Sequence, residues 1–91
     1  MGKINLHITV SGRVQGVGFR AFVHQVAVEL NLKGYVKNQF DNTVYIEVEG
    51  EESLINTFVS KCKVGPGWSR VELVKTVKYP IRDFDEFKIK Y

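Results

Sequence analysis

Apolar and polar residues alternate at the start of the chain: Ile4, Leu6, Ile8 and Val10 are separated by Asn5, His7 and Thr9. A period of two places the apolar set on one face of a half-buried strand. The period then lengthens. Phe19, Phe22, Val23, Val26, Ala27 and Leu30 recur at the spacing of one helix face, and Gly34 is expected to stop that helix. The segment "YVKN" reads as a second, short strand. Gln39 to Asn42 then read as a turn in which Asn42 tolerates the left-handed conformation. Val44, Ile46 and Val48 alternate with Tyr45, Glu47 and Glu49, giving a third strand that forms a hairpin with the second. Glu51 and Glu52 open a second helix, acids at the positive end of its dipole, with Leu54, Phe58 and Cys62 on one face and Ile55 and Val59 beside them. Gly65, Pro66 and Gly67 break it. Val71 and Leu73, extended to Val77, predict a fourth strand; Pro80 to Glu86 bridge to a last one carrying Phe87, Ile89 and Tyr91.

The order is strand–helix–strand twice, joined by a hairpin, with a further strand-like element or a long fourth strand at the end. The hairpin makes the sheet antiparallel and puts both helices on one of its faces. This is an α+β, ferredoxin-like split βαβ pattern, and the other sheet face is expected to lie open to solvent.

Ninety-one residues predict a single domain over 1–91, with core enough to fold without staples. The lone cysteine, Cys62, excludes an internal disulfide and a cysteine metal cluster. It suits a reducing, cytoplasmic setting and reads as a small buried hydrophobe. "MGKINL" has no long apolar run, so neither a signal peptide nor a membrane-spanning segment is expected. Leu6 stands where a myristoylation signal wants Ser or Thr. The net charge of +3 favours anionic partners mildly, but the lysines are scattered and give no nucleic-acid footprint.

The chemistry concentrates in "SGRVQGVGFRAF", residues 11–22. Gly16 and Gly18 sit among Val14, Val17 and Phe19, apolar residues ill-suited to a loose surface connection, so the loop is packed and shaped. Gly16 to Ala21 fit G-x-G-x-x-G/A, yet the distance from Val10, the hairpin that follows and the short chain contradict a dinucleotide fold. The P-loop pattern fails because no lysine follows Gly18. A curled run of backbone N–H groups at a helix N-terminus is instead an anion cradle. Arg20 lies in the first helical turn, where a cation is unfavourable by ~0.3–1 kcal/mol. A planar guanidinium there suits bidentate capture of a phosphate.

"GRVQGVGFR" together with "GYVKN" resembles the acylphosphatase family. The resemblance extends over nearly the whole chain, through "VEG" at 48–50, "GP" at 65–66 and the terminal "FKIKY". It implies a βαββαβ fold and hydrolysis of an acyl phosphate to a carboxylate and inorganic phosphate, with no cofactor and no metal. By position, it implies a phosphate loop on Gln15, Gly16, Val17, Gly18 and Phe19, a catalytic arginine at Arg20 and a water-orienting asparagine at Asn38. The implied partners are a small acyl phosphate and, as product-like ligands, phosphate or sulfate. No nucleic acid or membrane partner and a monomeric state are expected. Asn42 departs from the glycine frequent in the family's turn, and Ala21 from a larger neighbour; neither touches the chemistry.

Other residues carry weaker signals. His7 and His24 have no identifiable catalytic partner. Asp83 and Asp85 form a D-x-D that could hold Mg²⁺, but beside Arg82 and Glu86 they read as a solvated loop. Trp68, Tyr79 and Tyr91 either line the site or pack elsewhere. The rival class is a non-catalytic anion- or RNA-binding module of the same fold. Lys33 to Phe40, "KGYVKNQF", imitates an RNP1 motif at its ends but lies on the second strand instead of the third.

Overall fold

Seven elements are formed in the computed structural model, which describes residues 2–91: β1 (Lys3–Arg13), α1 (Phe19–Glu29), β2 (Lys33–Asn38), β3 (Val44–Glu51), α2 (Glu52–Val64), β4 (Arg70–Tyr79) and β5 (Phe87–Lys90). The strands lie in one sheet in the order β4-β1-β3-β2-β5. The first four pair antiparallel, as the hairpin requires. β5 adds to the edge of β2 in parallel, Lys37 opposite Lys90, so the complete sheet is mixed.

Alternation dictates which face is buried. Leu6, Ile8 and Val10 of β1, Val36 of β2 and Val44, Ile46 and Val48 of β3 point to one side. There they meet Phe19, Val23, Val26 and Ala27 of α1 and Ile55, Phe58 and Cys62 of α2. Both helices therefore cover the same face. Each fully buried side chain such as Phe58 contributes about 1.5–3 kcal/mol.

Three local readings are corrected. Gly34 does not stop α1; it lies within β2 at φ 138°, where a Cβ would overlap the Glu47 carbonyl oxygen of the neighbouring strand. The helix ends at Leu30 instead. Asn31 turns left-handed at φ 56°, and the N–H groups of Asn31 and Leu32 donate to the carbonyls of Val28 and Ala27. This is a Schellman closure with asparagine in glycine's place, sealed by buried Leu32. Next, β1 runs on to Arg13, and its pairing with β4 is irregular at Ser11/Gly12. On β4, Leu73 lies opposite Ser11 and Val77 opposite His7, so both belong to the sheet face away from the helices. Val71 and Val74 pack against the core.

The third correction concerns that outer face, which is covered in part, while Leu73, Val77 and Tyr79 of β4 stay exposed on it. Residues 80–86 cross it as a strap. Glu47 and Glu49 are fully buried beneath it, with Asn5 between them donating to Glu47 at 3.0 Å and to Glu49 at 2.8 Å. Glu49 also accepts the backbone N–H groups of Arg82 and Phe84, the latter at 3.0 Å. The Arg82 guanidinium reaches Glu47 at 3.2 Å, and His7 Nε2 lies 3.2 Å from the same carboxylate. His7 stacks on Tyr79 at 3.8 Å and bonds to the Tyr45 hydroxyl. Burial alone would push both carboxyls up. The Asn5 amide, with His7 and Arg82 at Glu47 and the strap N–H groups at Glu49, outweighs it and holds both below the usual range.

Candidate active site

The loop between β1 and α1 is shaped by its two glycines. Gly16 and Gly18 adopt φ 74° and 78°, and an added Cβ would meet nothing within 4 Å at either. Backbone conformation, not crowding, therefore requires glycine there. Gly18 is the N-cap of α1. No side chain caps the helix, and no acid stands in its first turn. Among the described residues, no protein acceptor takes the N–H groups from Gly16 to Ala21. Gly16, Gly18, Phe19, Arg20 and Ala21 border one small volume at the positive end of the helix dipole.

That volume is a cavity of about 170 Å³ lined by Gly16, Gly18, Phe19, Arg20, Ala21, Asn38, Ile89 and Tyr91. Arg20 comes from the first turn of α1, and Asn38 ends β2. They share the cavity because α1 packs across β2 and β5. Arg20 is held from the far side. Its Nη1 donates to the Lys90 carbonyl at 3.0 Å, and its guanidinium carbon sits 4.7 Å from the Tyr91 ring centre. One of five guanidinium donors is so engaged, which orients the rest. Asn38 lines the cavity, and its Oδ1 is buried with no protein partner.

Gln15 and Val17 are placed differently from their neighbours. The Gln15 side chain turns away, its Nε2 donating to the Gln39 and Thr43 carbonyls at 2.9 Å each. It ties the loop to the β2–β3 turn. Val17 packs against the core. Ile89 was not among the sequence candidates, and Tyr91, left open between lining the site and packing elsewhere, lines it. The signal for them is indirect: β5 sets Lys90 opposite Lys37, so Tyr91 falls beside Asn38.

The remaining candidates lie elsewhere. His7 and Tyr79 belong to the outer-face network, and His24 sits against Phe87 with ring centres 6.1 Å apart. Trp68 is exposed. Asp83 and Asp85 are exposed, and Asp83 pairs with Lys3 at 3.2 Å. Cys62 is buried and unpaired, its thiol pushed up to about 12 by burial. The RNP1-like stretch has no open platform. Gly34 is buried, and Tyr35 packs beside Tyr45 and the strap's Phe84. No described helix is long and apolar enough to cross a membrane.

A mixed split-βαβ sheet carrying a glycine-shaped loop at a helix N-terminus, an oriented arginine and a nearby carboxamide makes this an α+β protein with a candidate anion site. Comparison with known proteins makes this specific. The Acylphosphatase family model matches residues 6–89. An acylphosphatase of Archaeoglobus fulgidus is 48% identical over 88 residues, covering 97% of this chain and 99% of the relative. One from Moorella thermoacetica is 39% identical over 90 residues, covering 99% and 97%. The crystal structure of acylphosphatase from Bacillus subtilis superposes with a TM-score of 0.95 at 38% identity, over 97% of this chain and 99% of that one. The chain belongs to the acylphosphatase family.

Proposed function

We propose that this protein hydrolyses acyl phosphates in the 170 Å³ cavity, with the loop amides and Arg20 as the phosphate grip and Asn38 as the aligner of water. The observation that carries it is the meeting of Arg20 and Asn38 on one cavity whose remaining wall is donor backbone. An acyl phosphate is a mixed anhydride with a weakly basic carboxylate as its leaving group. The departing oxygen therefore needs no general acid. Rate must come from positioning and charge stabilisation. The N–H groups of the loop and first turn point at the non-bridging oxygens, whose charge redistributes in the transition state. Arg20 adds a fixed fork of donors.

Asn38 supplies the nucleophile's geometry. A water held by its carboxamide has a lone pair left to aim at phosphorus, in line with the leaving oxygen. The water's proton passes to a phosphoryl oxygen, since no protein base lines the cavity. Bond to bond, the water oxygen joins phosphorus as the bridging P–O bond breaks and the carboxylate leaves. Residues of the outer-face network take no part. The same reading makes the protein a metal-independent cytoplasmic monomer that binds phosphate or sulfate as product-like ligands.

The test is hydrolysis of benzoyl phosphate by the purified chain, with inorganic phosphate as a competitive inhibitor. Retention on RNA without turnover would support the binding-module alternative instead.

A further inference from the structure

We infer that the turn after β2 carries the acyl-group subsite of this same site, and that it favours an aromatic acyl group. This inference rests on the acyl phosphate reading above. A groove of about 640 Å³, lined by Lys37, Asn38, Gln39, Phe40, Asp41 and Tyr91, adjoins the reactive cavity. Asn38 and Tyr91 line both. A phosphate and one water occupy the inner cavity, so the acyl group has to pass the wall they share.

In the groove, Tyr91 at that wall and Phe40 beyond it are two fully exposed aromatic rings. The Tyr91 ring already lies against the Arg20 guanidinium. Phe40 does nothing for the core, and its turn is rigid. Gln39 N–H donates to the Thr43 carbonyl at 2.9 Å, and Gln39 Nε2 to Thr43 Oγ1 at 2.8 Å. Thr43 N–H and its hydroxyl donate to Asp41, and Gln15 clamps the turn from the glycine loop. A ring on a backbone fixed in this way has only its own side-chain rotation to lose on contact. Charge points the same way. Lys37 is turned to the Tyr45 ring, 5.6 Å from its centre, while the Asp41 carboxylate is fixed on Thr43. An acyl tail bearing its own carboxylate meets Asp41's charge; a flat uncharged one meets aromatic faces.

The experiment compares kcat/KM for benzoyl and acetyl phosphate in the wild type, Phe40→Ala and Phe40→Tyr. Aromatic contact of ordinary strength predicts that Phe40→Ala lowers the benzoyl-to-acetyl ratio about three- to tenfold, mainly through KM, and that Phe40→Tyr keeps it. A ratio unchanged in Phe40→Ala, with both substrates still hydrolysed, overturns the subsite and leaves the hydrolase reading intact. A wild type inactive on both substrates overturns the hydrolase reading, and the subsite with it.

Discussion

The Gln15 amide donates to the Thr43 carbonyl at 2.9 Å, and that bond ties the glycine loop to the turn that follows Asn38. Two segments distant in sequence are thereby held at one spacing. Gln15→Ala removes this bond and its companion to Gln39. Both carbonyls keep a backbone donor, from Gln39 and Asn42. The loss of stability should therefore be about 1–2 kcal/mol, read by urea unfolding. Inhibition by phosphate should weaken in parallel, because the loop is no longer registered against Asn38.

Arg20 is oriented by the Lys90 carbonyl and the Tyr91 ring before any ligand arrives. Arg20→Ala should abolish phosphate binding measured by calorimetry. Arg20→Lys should fail as well, since an ammonium has neither the planar fork nor the stacking surface. Both variants should fold, because Arg20→Ala removes a cation that works against the helix and Arg20→Lys leaves the charge there unchanged.

The buried carboxylates set the response to acid. Glu47 and Glu49 bind protons less readily folded than unfolded. The unfolded chain therefore takes up more protons on acidification, and stability falls with pH. Their contribution is present above the ordinary glutamate value of 4.5 and is lost as the pH drops through the lower folded values. Glu49→Gln keeps the shape but not the charge for the strap's N–H groups. It should cost about 1–3 kcal/mol at neutral pH and flatten the acid limb of the stability curve, followed by urea unfolding across pH.

Chelation separates the two phosphate chemistries. Treatment with EDTA should leave benzoyl phosphate hydrolysis unchanged, since amides and a guanidinium carry the charge. Loss of activity restored by Mg²⁺ would point to Asp83 and Asp85.

Legibility in the sequence followed the range of the interactions. Alternation in β1 and β3 is local, so their core faces were readable from Leu6 and Ile46. Gly16 and Gly18 were readable because positive φ leaves a residue-type signature. Glu47 and Glu49 looked like ordinary solvent-facing positions. They are buried only because the strap, distant in sequence, brings its N–H groups and Arg82 over them. Ile89 was hidden, and the place of Tyr91 left open, for a similar reason: the parallel pairing of β5 with β2 is not encoded near either strand. Gly34 misled because a glycine after an amphipathic run imitates a helix stop, while Asn31 performs that role.

The central claim is that Asn38 aims a water at a phosphate held by other groups. Its most direct test is Asn38→Ala, assayed for benzoyl phosphate turnover and for phosphate binding on the same preparation. The account predicts that kcat falls about 10²–10³-fold while phosphate still binds. Turnover at the wild-type rate would contradict it.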